Sequence, residues 1–259
     1  MVQRLHASVG DSTCILFLNL LSFFSVILTF VGCRSVPVTE RTQLMLSSSA
    51  KEKEAGEEAY AEYRTKYKRS DNAAYNEALA RCGNAIVDAV DADDFEREFI
   101  VLETPVRNAF CLPGGKVVVY SGMMDEMRNE AELAFIVAHE VGHAVARHFG
   151  ERTSWQFLES WGGLFPSEDD ASDAAFGRDF EFEADRIGMT LMAKAGYDPA
   201  AAVQFWTRFS NSPAGKAGAL MNTHPDNADR IAAMEDNMNS AQEEYAIAPN
   251  RKDFGVFFP

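Results

Sequence analysis

Basic residues are scarce in this chain. Lys and Arg total 24 against 39 Asp and Glu, a formal charge of −15 over 259 residues. Duplex binding is driven by Lys and Arg displacing counterions from phosphates, so a chain this acidic is not read as a nucleic-acid binder. Cysteine is also sparse, with four in all, which excludes a disulfide-dense scaffold. Nine prolines and 17 glycines are too few for a collagen-like or low-complexity chain, and no repeat of solenoid length is present. Hydrophobic residues make up 47% and charged residues 24%, the mix of a protein that buries a core.

Charge is missing altogether from Ser12 to Cys33, after a start that carries Arg4 and His6. A basic opening, an apolar middle and a small residue before a break is the layout of a secretory signal. Phe30-Val31-Gly32-Cys33 resembles a bacterial lipobox, which implies cleavage before Cys33 and a lipid on its thiol. An uncleaved anchor and an ordinary cleaved signal are the alternatives, since the apolar run just reaches the ~20 residues a span needs. All three imply export. The expected division is a signal over residues 1–32, a tether and amino-terminal helix over 33–70, a catalytic body over 71–245 and a tail over 246–259. Residues 35–57 in particular, with Pro37, Ser47 to Ser49 and a Lys/Glu run, read as tether. Cys82 and Cys111 remain in the body, either as a disulfide or as two isolated thiols.

Within the body, Leu79, Cys82, Ile86, Val87 and Val90 recur at three- and four-residue steps, which predicts a helix over 71–90. Phe99 to Leu102 and Lys116 to Tyr120 read as strands, Asn108 to Leu112 as a shorter third, and Pro113-Gly114-Gly115 as a turn. The pattern after Gly122 is helical. A small sheet followed by packed helices makes an α+β fold. The acidic stretch from Ser167 to Asp173 reads as a loop.

The chemistry lies in His139-Glu140-Val141-Gly142-His143. Asn129 is placed to cap a helix running to about Phe149, with Glu132 completing a capping-box-like pair. Histidines four apart share a helix face, so His139 and His143 can converge on one ion, while Glu140 is offset toward a water beside it. This is the zinc-protease pattern H-E-x-x-H. A third His six residues on would mark a metzincin, but Phe149 stands there. His148 points to another face of the same helix. Downstream, Glu181 and Asp185 lie four apart on a second helix and Glu183 points away. Glu181 is the candidate third ligand, with Asp185 placed to accept the free N–H of a ligand histidine, the alternative being an acidic solvated helix face.

H-E-V-G-H followed by E-F-E-A-D-R-I-G resembles the gluzincin family of HtpX-like and CAAX-prenyl-protease-like zinc metallopeptidases, whose exported members are of the BepA and LoiP type. The similarity runs from about Leu79 to Ala233. It takes in Asn108-Ala109-Phe110, Pro113-Gly114-Gly115, Ser121 to Met124, Thr223-His224-Pro225 and Arg230. The resemblance implies a zincin-like, mostly helical domain with one Zn2+ on His139, His143 and Glu181, Glu181 rather than Glu183 being the ligand. It implies that the strand Val117, Val118, Val119 and Tyr120 offers an edge to which an extended substrate adds. It also implies that His224 approaches the metal and Arg230 faces the reacting carbonyl, although the sequence alone leaves His224 free to cap a helix instead. Cys111 departs from the small apolar residue usual beside that edge.

The expected activity is a zinc metalloendopeptidase acting on unfolded polypeptides of the bacterial envelope. It is expected to face the periplasm from a lipid anchor, at the outer membrane. A tethered assembly factor that binds without cutting is the alternative.

Overall fold

A computed structural model describes residues 32–258 except 91–94, 163–169, 214, 216–219, 221–223 and 225–226. The apolar segment before Gly32 lies outside the described residues. Among those described, no helix is long and apolar enough to cross a membrane.

The chain begins with a hairpin, β1 (Gly32–Ser35) paired antiparallel to β2 (Thr42–Met45), Cys33 lying opposite Leu44. This overturns the tether expected over 35–57. Val36 and Gln43 are buried, and the Leu46 N–H donates to Ser154 Oγ. Polar contacts dock the hairpin, so a hydropathy pattern does not reveal it. Helix α1 (Ser49–Lys66) follows, started by Ser48, whose side chain accepts from the Lys51 N–H. Helix α2 (Ala73–Ala89) starts at Asn72, which accepts from the Tyr75 N–H, and buries Leu79, Cys82 and Ile86.

Three strands come next: β3 (Glu98–Leu102), β4 (Ala109–Leu112) and β5 (Lys116–Tyr120). Their order is β3-β5-β4, with β3 parallel and β4 antiparallel to β5. The Pro113 to Gly115 turn joins β4 to β5, with Gly114 at φ 91° and Gly115 at φ 98°, values that L side chains rarely adopt. The strand Val117 to Tyr120 is therefore central, flanked on both sides, and the edge assigned to it belongs to β4. Burial agrees, since all five residues of β5 are buried.

The short helix α3 (Ser121–Met124) leads to α4 (Glu130–Val145), the buried centre of the molecule. Asn129 Oδ1 accepts from the Glu132 N–H at 3.0 Å, and the Glu132 carboxylate accepts from the Arg128 N–H instead of the Asn129 one. Leu133, Phe135, Ile136, Val137 and Val141 pack into one core with α2, β4 and the later helices. The helix expected to reach Phe149 stops at Val145. Arg147 adopts φ 53°, and α5 (His148–Gly162) starts in a new direction. Helices α6 (Asp170–Lys194), α7 (Ala200–Asn211) and α8 (Asn227–Ile247) complete the body. Of the expected acidic loop, 167–169 lie outside the described residues and Asp170 to Asp173 are helical.

The last residues fold back on α4. The Glu130 N–H donates to Val256 O and the Ala131 N–H to Phe254 O. Cys82 and Cys111 are both free thiols, Cys82 directed at Glu130 O and the Tyr197 hydroxyl. The architecture is α+β, mostly helical, with the edge strand β4 against the histidine helix α4.

Candidate active site

Helices α4 and α6 approach closely enough for side chains of both to share one centre. A Cβ on Gly188 would stand 2.9 Å from the His139 backbone N, and one on Gly142 would stand 3.0 Å from Ala184 O. Glycine at both positions lets the helices touch through backbone. His139 and His143, one turn apart, bring their Nε2 atoms to 3.1 Å. Glu181 reaches across from α6, with Oε2 3.3 Å from His139 Nε2 and Oε1 3.3 Å from His143 Nε2. His224 adds Nδ1, 3.2 Å from His139 Nε2 and 2.8 Å from Glu181 Oε2. The four donor atoms all lie within 4.8 Å of one another.

This donor set fits a metal ion. Ligands about 2.0–2.1 Å from a tetrahedral centre stand roughly 3.3–3.4 Å apart, close to the separations of the His139, His143 and Glu181 atoms. Charge is unevenly shared among the donors, burial lowering His143 and His224 while His139 is raised. Burial disfavours a charged His139 ring, yet the Asp185 and Glu181 carboxylates outweigh it and raise its pKa to about 9. Burial likewise works against an ionised Glu181, but contacts from His139, His143 and His224 hold it far below the usual carboxylate range.

Glu140 sits beside this cluster without belonging to it, with Oε1 3.4 Å from His224 Nε2. Burial pushes its carboxyl up to about 8, with His139 opposing and Glu181 adding to the rise, and a hydrogen bond with the Cys111 backbone restrains it. A carboxyl near neutrality is suited to take and return a proton. The cleft in front, about 1310 Å³, is lined by Glu140, His143, Glu181 and His224 and by Phe110 and Cys111 of β4.

A model of peptidase family M48 matches residues 73–166 and 169–238. The chain belongs to peptidase family M48. It is 31% identical over 240 residues to the mitochondrial metalloendopeptidase OMA1 of Schizosaccharomyces pombe, covering 82% of this chain and 68% of that one. Human OMA1 is 26% identical over 256 residues, with 85% and 49% covered. The putative beta-barrel assembly-enhancing protease of Vibrio cholerae is 30% identical over 181 residues, with 60% and 37% covered. The chain thus spans about half the length, or less, of several curated relatives it matches. As an M48 member it is a metalloprotease, a hydrolase.

The remaining M48 site residues divide by position. Asp185 Oδ1 lies 2.9 Å from His139 Nδ1 and accepts from Arg230 Nη2 at 2.7 Å, while Oδ2 accepts from Arg230 Nε at 2.6 Å. Arg230 Nη1 stands 3.0 Å from Glu181 Oε2, and its guanidinium lies 4.6 Å from the centre of the Trp206 ring. Arg230, expected to face the reacting carbonyl, is placed against these two carboxylates. It is 1% exposed, its guanidinium is committed to the two carboxylates, and it forms no part of the cleft wall. It holds Asp185 and Glu181 from behind.

Sequence reasoning missed one contributor. Because the chain breaks at Arg147, His148 does not continue the face of α4, and it turns back toward His143. Its Nδ1 is 2.8 Å from His143 Nδ1, and its Nε2 is 2.9 Å from Glu183 Oε2. No glycine or proline marks the break, so the signal available was only the pair of histidines five residues apart. Burial moves His148 down to about 4, with Glu183 opposing.

Proposed function

We propose that this chain is a zinc-dependent metalloendopeptidase that cuts extended or unfolded polypeptides in an exported compartment, as part of protein quality control. The observation that carries the reading is the position of Glu140, a buried carboxyl of raised pKa between a convergent His/Glu donor set and a strand edge. His139, His143 and Glu181 would hold one zinc per chain. When bound, zinc supplies a Lewis acid that lowers the pKa of water to ~7 and polarises the scissile carbonyl. Glu140 takes a proton from the attacking water and returns it to the departing amide nitrogen. His224, which shares the cleft with Glu140, orients the reacting carbonyl. The outer edge of β4 receives the substrate as an added strand. Main-chain pairing of that kind gives affinity with little side-chain selectivity, as suits unfolded clients.

The proposal includes the address. Phe30-Val31-Gly32-Cys33 supports processing before Cys33 and a lipid anchor there, with the body facing the periplasm from the bacterial outer membrane. Mass spectrometry of the mature amino terminus tests this part separately.

The enzymatic part is tested with Glu140→Gln, which keeps the side chain's size and all three proposed ligands. Zinc content is expected to persist while casein cleavage falls at least 10²-fold, the low end of what a positioned proton carrier contributes. Cleavage at the wild-type rate with full zinc would overturn the mechanism. If neither form cuts any unfolded chain and both suppress aggregation, the assembly-factor reading replaces it.

A further inference from the structure

The proposed ligand His143 is tied to the amino-terminal hairpin by an unbroken series of polar contacts. Arg41, in the β1–β2 hairpin, donates from Nε and Nη2 to Glu183 Oε2 at 3.0 and 2.7 Å, and from Nη1 and Nη2 to the Glu151 carboxylate at 2.9 and 2.7 Å. Thr39 Oγ1 also donates to Glu183. Glu183 Oε2 stands 2.9 Å from His148 Nε2, and His148 Nδ1 stands 2.8 Å from His143 Nδ1. His148 is 5% exposed, and its ring is stacked on Phe180 with centroids 4.0 Å apart.

The carboxylate end fixes the direction of the series. An ionised Glu183 only accepts, so His148 donates from Nε2. A neutral imidazole has one donor and one acceptor, so His148 Nδ1 is then a lone pair. Only a proton on His143 Nδ1 makes the 2.8 Å contact a hydrogen bond. That leaves the lone pair of His143 on Nε2, the atom turned toward Glu181 and His139.

We propose that His148 and Glu183 are positioning residues that hold His143 as its Nδ1–H tautomer, with Arg41 as their outer anchor, so that docking of the hairpin sets the metal affinity of the site. This rests on the reading of His139, His143 and Glu181 as metal ligands. Asp185 serves His139 directly, and His143 is served through an intervening imidazole. The consequence is a mechanical link from the first described residues of the chain to the site. Displacing the hairpin withdraws Arg41 and Thr39 from Glu183, which loosens the hold of Glu183 on His148 and so of His148 on His143.

The test measures zinc affinity of the full chain by competition with a chromophoric chelator, alongside thermal unfolding in EDTA. His148→Phe keeps a ring on Phe180 and removes the acceptor, while Glu183 keeps Arg41 and Thr39. Its affinity is expected to fall about 10–100-fold, the range found when the partner of a ligand histidine is removed. His148→Asn places an oxygen near the former Nδ1 and is expected to recover most of that loss. Arg41→Ala is expected to weaken zinc about 10-fold with Glu183 and His148 intact. Metal-free unfolding midpoints show separately whether each variant still folds, so that zinc affinity is compared among folded proteins only. Wild-type affinity in His148→Phe, no recovery in His148→Asn, or unchanged affinity in Arg41→Ala would overturn the proposal. A wild-type chain that takes up no zinc would instead overturn the metal reading on which it rests.

Discussion

Glu181 and Glu183, two positions apart on α6, serve opposite nitrogens of His143. Glu181 Oε1 stands 3.3 Å from Nε2, whereas Glu183 reaches Nδ1 only through His148. One helix therefore carries both an ion-facing carboxylate and one that faces outward to Arg41.

The two carboxylates are expected to separate in metal analysis. Glu181→Ala should abolish stoichiometric zinc, because two imidazoles remain of the three-residue donor set. Glu183→Gln should retain one zinc at weakened affinity, by about 10-fold. Zinc retained in the first and lost in the second would reverse the assignment.

Gly188→Ala tests the contact between α4 and α6. The new Cβ would meet His139 N at 2.9 Å and its Cα at 3.0 Å, backbone atoms that no rotamer change moves. A loss of about 1–3 kcal/mol in urea unfolding is expected, with weaker zinc binding. Gly177→Ala on the same helix meets only Arg152 Nη2, at 3.5 Å. It should leave stability unchanged or raise it by up to about 1 kcal/mol, from helix propensity. Equal effects of the two would contradict the packing argument.

Arg230→Ala strands Asp185 and Glu181 as buried carboxylates without their shared cation. Removing one partner of a buried pair typically costs about 3–5 kcal/mol. Denaturant unfolding in EDTA should show a loss of that order, with Arg230→Lys intermediate because it keeps charge without the fork. A stable Arg230→Ala variant with lowered kcat alone would return Arg230 to the reacting carbonyl.

Cys82 should make the fold sensitive to alkali. Burial raises its thiol to about 12 from an ordinary 9. Unfolding lets the thiol ionise, so its contribution is complete below pH 9 and is lost as pH rises from 9 toward 12. Stability should fall across that window with a slope up to ~1.4 kcal/mol per pH unit steeper than in Cys82→Ala. Urea titrations at several alkaline pH values check this, and parallel slopes would count against it.

What the sequence made legible was local. H-E-x-x-H displays its geometry because helical spacing converts a four-residue step into one shared face, and the Asn129 cap and the turn at Gly114 and Gly115 are written in residue types. Strand order is not local. The resemblance implies an edge at Val117 to Tyr120, whereas that strand is central and its run of apolar residues suits one covered on both faces. The positive φ of Arg147 carries no glycine to announce it, so His148 was placed on a continuation of α4 that does not exist. Arg41 and Thr39 resemble tether in the sequence because they dock by polar contacts, and the Arg230–Asp185 pair is invisible there because its members lie 45 residues apart.

The fold-back of the last residues onto α4 bears on the order in which a working protease is built. Helix amino termini leave backbone donors unmet, and here the Glu130 and Ala131 amides are met by the carbonyls of Val256 and Phe254. A chain emerging from the ribosome reaches its histidine pair more than a hundred residues before these carbonyls exist. Asn129 caps the start of this helix locally, and only the Glu130 and Ala131 amides wait for the last residues of the domain to supply their carbonyl partners.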